Sequence, residues 1–109
     1  MQVFKRHVFV CINQRPAKHR RGDCLTKGGQ EFHQALKTAV LRAGLNLEIR
    51  VNKAGCLDQC SQGPVMVVYP EGVWYVKVGL DDVDEIVNRH LIGGEVVERL
   101  QMTRTDREL

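Results

Sequence analysis

The sequence lacks any apolar run that approaches the ~20 residues needed by a membrane-spanning helix. Its beginning, MQVFKRHVFVCINQRP, also lacks the apolar stretch and cleavage site of a secretory signal peptide. We therefore expect no membrane insertion and a cytoplasmic location. In a reducing compartment, cysteines more often bind metals or do redox work than form disulfides.

Aromatic residues are also scarce, at 6% of the chain, and none stands among the bases of the loop RPAKHRRG, residues 15–22. Single-stranded nucleic acids are usually held by bases stacked on aromatic side chains, so no nucleic-acid partner is expected. Residues 1–27 nevertheless hold seven Lys and Arg against one Asp. Two interpretations of the loop stay open: a docking site for an acidic partner, or an ordinary solvated loop.

The chain of 109 residues, 43% hydrophobic and 27% charged, has the size and composition of one globular domain. It contains no internal repeat, low-complexity tract or linker. We expect a single domain over residues 1–109, in which residues 101–109 are a candidate flexible tail.

The first half of the chain has the pattern of a strand, a helix and a second strand. Residues 7–12, HVFVCI, are nearly all apolar and β-prone, as in a central strand covered on both faces. Residues 30–43 carry apolar side chains at helical spacing, and Gly44 follows where a helix commonly ends. Residues 45–51, LNLEIRV, alternate as a strand with one buried face does.

The second half reads as a hairpin and a helix. Residues 65–70 and 73–78 resemble strands, and the turn at 70–72 predicts that they pair antiparallel. An aspartate at 81–82 is placed to cap a second helix, which the glycines at 93–94 would end. The predicted class is α/β, with βαβ followed by ββα around a mixed four-stranded sheet.

This order bears on the four cysteines. Two strands joined by a crossover helix are normally parallel, so Cys11 and Val51 should finish at the same edge of the sheet. The loop with Cys56 and Cys60 begins at that edge, and Cys24 lies in the loop that leads to the first helix. We therefore expect the four thiols to converge.

Several kinds of site use four cysteines. Disulfides are disfavoured by the absence of a secretion signal, and dithiol catalysis and haem attachment by the absence of Cys-x-x-Cys and Cys-x-x-Cys-His. Structural zinc suits four thiolates, but zinc sites generally bring each pair close in sequence. A two-iron cluster accommodates one tight pair and one wide pair. Spacing alone leaves zinc and the cluster open.

Taken together, the motifs are recognisable. The run HVFVC, the twelve residues that separate it from Cys24, and the stretches GCLDQCSQGPVMVVYPEGVWY and DDVDEIVNRHLIGGEVVERL resemble the thioredoxin-like two-iron, two-sulfur (2Fe-2S) ferredoxins. The resemblance covers residues from about 7 to 100. It is specific because the Cys-x12-Cys, Cys-x3-Cys and Gly-Pro-Val elements occur together.

The resemblance implies a thioredoxin-like fold, a homodimer, and a one-electron carrier that is not an enzyme. It further implies that Cys11 and Cys24 ligate one iron of a 2Fe-2S cluster near the surface, while Cys56 and Cys60 ligate the other. The alternative is a zinc-stabilised adaptor domain without redox activity. Redox proteins are the expected partners.

Other residues receive more ordinary roles. Asp58, between two candidate ligands, should disfavour the added electron. Trp74 and Tyr75 are assigned to the core or to a subunit contact. The apolar residues of GGEVVERL, 93–100, should pack on their own subunit or on a twin. The scattered histidines are not needed as ligands: His7, His19, His33 and His90.

Overall fold

The computed structural model describes residues 3–13, 27–55, 57 and 62–103. The strands are β1 (Arg6–Cys11), β2 (Ile49–Ala54), β3 (Met66–Tyr69) and β4 (Val73–Tyr75). They form one sheet in the order β2-β1-β3-β4, in which β1 is parallel to β2 and antiparallel to β3, and β3 is antiparallel to β4. The predicted mixed four-stranded sheet, with a central first strand, is confirmed.

Two helical segments complete the fold. Helix α1 (Gly29–Arg42) connects β1 to β2. The second segment starts as a 3-10 turn at Leu80–Asp82, continues through an α-helical turn at Val83–Glu85, and ends as a π-helix at Ile86–Ile92. We call residues 80–92 α2. The order is βαβ followed by ββα, as predicted.

The main core lies between the helices and one face of the sheet, here called the helix face. Alternate strand residues supply it, for example Val8 and Val10 of β1, which are 0% exposed. Helix α1 contributes Phe32 and Leu36, and α2 contributes Ile86 among others. Residues of the opposite parity, such as Phe9, lie on the other face, here called the outer face.

The outer face is less covered than the sequence suggested. Both faces of β1 were expected to be buried, yet His7 and Phe9 are only half-buried. Their rings stack on each other with centroids 4.4 Å apart. The reason is that α1 and α2 pack on the same face of the sheet. At the end of β1, however, Cys11 on the outer face is 0% exposed.

The predicted strand at 45–51 is wrong in its first half. Leu47 is 84% exposed, and the N–H groups of Glu48 and Ile49 both donate to the Leu45 carbonyl at 2.9 Å. The chain leaves α1 through Gly44, whose φ is 76°, and needs a turn before it reaches the sheet. Alternating leucines in that turn imitate a strand, and the real strand begins only at Ile49.

The predicted second hairpin strand, 73–78, is also shorter than expected. It leaves the sheet after Tyr75, and Lys77 has a φ of 52°, which an extended strand does not permit. The carboxyl-terminal residues take over the free edge: the Val76 N–H donates to Leu100 O at 3.0 Å, and the Met102 N–H donates to Trp74 O at 2.8 Å. This segment, residues 97–103, therefore lies along β4.

The ends of α2 follow the predicted signals, with one change. Gly79 is the cap residue, and Asp82 reaches back to accept its N–H at 2.8 Å instead of capping from its own position. At the other end Gly94 adopts a φ of 74° and donates to His90 O at 2.9 Å. Beyond it, Val97 and Leu100 are buried in the core of their own chain.

Candidate metal centre

Cys11 is the candidate ligand that the structure describes. It is the last residue of β1, it is fully buried, and its N–H donates to Val65 O at 3.0 Å. A cysteine that lies at the end of a central strand is held by the hydrogen bonds of its neighbours. Its position is therefore set by the sheet.

The end of β2 lies beside Cys11. The parallel register pairs Cys11 with Ala54, and the N–H of Ile12 donates to Ala54 O at 3.0 Å. Ala54 is two residues before Cys56 in the sequence. The chain thus enters the cysteine loop at the sheet edge where β1 ends, as the crossover argument predicts.

A small hydrophobic cluster surrounds the same point. Cys11 and Val65 are its fully buried members, and Leu57, Trp74 and Val76 are partly buried and pack against them. Leu57 lies between Cys56 and Cys60 in the sequence. One residue of the cysteine loop is therefore packed beside the strand cysteine. We call these five residues the outer cluster.

The other end of the loop is also fixed. Gln62, two residues after Cys60, accepts the Lys77 N–H at 2.8 Å through its carbonyl oxygen. Its side-chain amide donates to the Met102 sulfur at 3.6 Å. The loop that begins beside Cys11 thus returns to the sheet between the end of β4 and the carboxyl-terminal segment.

The other three predicted ligands lie outside the described part of the chain: Cys24, Cys56 and Cys60. Asp58, His19 and the basic loop 15–22 also lie outside it. Among the residues that are described, no group of three or more His, Cys, Asp and Glu side chains is placed to hold a metal ion. His33 and His90 are instead buried within the protein and bonded to its own groups. Convergence of the four thiols stays a prediction.

The sequence patterns did not predict a network of buried polar groups around Tyr75 and His90. The Val97 N–H donates to the Tyr75 hydroxyl oxygen at 3.0 Å, that hydroxyl lies 2.6 Å from Nδ1 of His90, and Nε2 of His90 contacts the Glu71 carboxylate. Arg6 Nε also donates to Glu71, at 3.0 Å. These groups are far apart in sequence, and no local pattern marks them.

Electrostatics in this network favour an ionised Glu71. Partial burial raises the pKa of this carboxyl, but hydrogen bonds from Arg6 and His90 outweigh it, so the pKa lies below its usual value. For Tyr75, burial raises the pKa of the phenol and keeps the hydroxyl proton available for His90. The network ties β1, β4 and α2 together on the helix face, opposite the outer cluster.

The role of Leu57 was also missed. In the loop CLDQCSQG, Leu57 is the apolar residue among polar neighbours, and this contrast was the available signal. An apolar side chain in a polar loop is stabilised when it is buried against other apolar groups. In the structure it packs against Cys11 and Val65.

No helix in the described ranges combines the length and the apolar character required to cross a membrane.

No family model matches the sequence. The chain is similar, however, to individual proteins and to solved structures.

Two curated relatives cover almost the whole chain. A protein of Aquifex aeolicus (strain VF5) described as "Ferredoxin, 2Fe-2S" is 46% identical over 105 residues, which is 95% of this chain and 94% of the relative. A protein of Clostridium pasteurianum with the same description is 46% identical over 98 residues, which is 90% of this chain and 96% of that one. Among solved structures, a thioredoxin-like 2Fe-2S ferredoxin from Aquifex aeolicus matches with a TM-score of 0.88 at 44% identity, covering 92% of each chain.

Proposed function

Because this chain belongs to the thioredoxin-like 2Fe-2S ferredoxin family, we propose that Cys11, Cys24, Cys56 and Cys60 are the four ligands of its cluster. The protein is an electron carrier with a 2Fe-2S cofactor. We place the cluster at the sheet edge where β1 and β2 end. As the resemblance implies, the first two cysteines bind one iron and the last two bind the other.

The packing of Leu57 against Cys11 and Val65 is the observation that carries this assignment. It places Leu57, which lies between Cys56 and Cys60 in the sequence, against the buried pair Cys11 and Val65. The donor set also fits, because a two-iron cluster takes four thiolates from separate segments. Zinc would accept the same four donors. The two curated relatives and the solved structure are all described as 2Fe-2S ferredoxins, so the comparisons do not favour the zinc alternative.

The part played by the protein is to hold and tune the cluster. When bound, the cluster supplies a site that accepts and releases one electron. The thiolates fix the irons, while nearby charge, hydrogen bonds to sulfur and access of water set the reduction potential. The Cys11 thiolate is fixed by β1 and screened from water by the outer cluster. We infer no substrate chemistry and therefore no enzymatic activity.

We infer that the partners are redox proteins in the cytoplasm, and that an acidic one docks near the basic loop 15–22. The run Lys18, Arg20 and Arg21 supports this through charge alone. We also propose that residues 1–109 form one unit that acts as a homodimer, which the resemblance implies. Light scattering of the purified protein distinguishes a dimer from a monomer.

Spectroscopy of anaerobically purified protein tests the assignment. We expect a red-brown protein that bleaches with dithionite and gives a paramagnetic signal when reduced. Replacement of any one of the four cysteines by alanine should remove or greatly weaken both signals, since alanine has no atom that can ligate iron. His7→Ala is the control, because His7 lies on the same strand and face as Cys11. A wild-type protein that is colourless and holds only zinc would refute the proposal.

A further inference from the structure

The outer cluster is separate from the main core. The main core fills the space between the helices and the helix face of the sheet, and Trp74 is not part of it. Trp74 is instead half-buried on the outer face, where it packs with Leu57 and Val76 against Cys11 and Val65. Trp74 pairs with Val67 in the strand register, and Val65, two residues earlier in the chain than Val67, accepts the Cys11 N–H, so Val65 lies between the indole and the strand cysteine.

The backbone of Trp74 is held from both sides. On one side it pairs with Val67 of β3. On the other, its carbonyl oxygen accepts the Met102 N–H at 2.8 Å, and the adjacent Tyr75 forms a bridge with Gln101. A half-exposed indole on an edge strand would otherwise be free to move. Here the carboxyl-terminal segment hydrogen-bonds to the outer edge of β4 and so holds the backbone that carries the indole.

Burial of this kind has a specific effect at a cluster ligand. A thiolate and its irons carry net negative charge, and the reduced state carries one charge more. Water stabilises the more charged state, whereas apolar surroundings disfavour it. Water also gives access to reagents that remove iron. An apolar wall on one side of the cluster therefore lowers the potential and slows cluster loss.

We propose that Trp74 is a positioning residue of the cluster site: with Leu57 it forms an apolar wall that excludes water on the Cys11 side of that site. This inference rests on the ligand assignment proposed above and adds a role that the four thiols do not supply. The indole takes no part in electron transfer in this account. Its contribution is the surface it covers.

The test compares Trp74→Ala with Trp74→Phe and with Phe9→Ala, which removes an aromatic ring from the same face but outside the outer cluster. Two quantities are measured on the holoprotein: the rate at which its visible absorption is lost to an iron chelator, and its reduction potential. For Trp74→Ala we expect cluster loss about tenfold faster or more and a higher potential, since residues behind metal ligands commonly contribute 10- to 100-fold to retention of the metal. Trp74→Phe should restore most of both properties, and Phe9→Ala should leave them unchanged.

A second variant keeps the proposal testable if Trp74→Ala has a folding defect. If Trp74→Ala does not fold, Leu57→Ala removes the other half of the wall from a loop and should change the same two quantities in the same direction. A variant with a lower melting temperature but wild-type potential and cluster retention would show that Trp74 is only structural, and would overturn the inference. If the wild-type protein contained no iron and sulfide, the ligand assignment itself would fail, which is a different result.

Discussion

The hydroxyl oxygen of Tyr75 lies 2.6 Å from Nδ1 of His90, and both side chains are 0% exposed. The Val97 N–H donates to the same oxygen, and Nε2 of His90 contacts the Glu71 carboxylate. Each buried polar group is thereby paired. The residues come from β4, α2 and the carboxyl-terminal segment, so this relationship joins the last third of the chain to the sheet.

We predict that Tyr75→Phe destabilises the protein by ~1–3 kcal/mol, because the Val97 N–H and His90 Nδ1 then stay buried without this partner. The measurement is the midpoint of urea unfolding at unchanged m value, under anaerobic conditions. Tyr69→Phe is the matched control, since Tyr69 is 45% exposed and its hydroxyl group can be replaced by water. Equal midpoints for the two variants would show that the network contributes nothing.

Acid should weaken the fold through His33. Burial, opposed by a hydrogen bond to the Val51 carbonyl and reinforced by neighbouring cations, lowers the pKa of this histidine. In the unfolded chain the group titrates near its usual ~6.5. At pH values between the lowered pKa of the folded state and the ~6.5 of the unfolded state, the unfolded chain binds more protons than the folded one. The contribution of His33 to the free energy of unfolding is therefore complete above pH ~6.5 and is lost as the pH falls through this interval.

The variant His33→Gln tests this pH dependence, because an amide can donate to Val51 O but does not titrate. We expect the wild-type free energy of unfolding to decline below pH ~6.5 and that of the variant to decline less over the same interval. The two are compared by urea unfolding at a series of pH values. Parallel pH profiles would assign the acid sensitivity to other groups.

Asp58 is predicted to lower the reduction potential from its place between two proposed ligands. One charge ~8 Å from the cluster, at an effective dielectric of ~20 to ~80, contributes ~0.5 to 2 kcal/mol, or ~20 to 90 mV for one electron. We expect Asp58→Asn to raise the potential by an amount in this range. Redox titration of both proteins is the measurement, and an unchanged potential would remove Asp58 from the tuning of the cluster.

The basic loop should attract anions to the reduced protein. We predict that oxidation by ferricyanide, an anion, slows as ionic strength rises, and that Lys18→Ala reduces both the rate and its salt dependence. Lys37→Ala is the control, because Lys37 is exposed on α1. The rates are measured by stopped-flow absorption. A rate that does not respond to salt would leave the loop as ordinary solvated surface.

Much of the architecture follows from short-range patterns. The apolar run of β1, the helical spacing of α1 and the turn at residues 70–72 each marked their element, and the crossover rule then predicted the parallel pairing of β1 with β2. These signals are reliable because a buried face imposes the same period on the sequence as on the structure. The edge where β1 and β2 end could be located in this way.

Other features depend on contacts that no local pattern records. Leu45 and Leu47 alternate like a strand but occupy a turn, because the chain must first leave α1 through Gly44. The pairing of Tyr75 with His90 spans 15 residues, and that of Arg6 with Glu71 spans 65. The packing of Leu57 beside Cys11 likewise becomes visible only when the sheet has assembled.

The most direct test of the central claim is the iron and acid-labile sulfide content of the anaerobically prepared protein. We predict about two irons and two sulfides per chain, as a two-iron cluster requires, and a clear loss of both when any one of Cys11, Cys24, Cys56 and Cys60 is replaced by alanine. A chain that binds zinc without sulfide, or one that keeps its full iron and sulfide after such a replacement, would contradict the account.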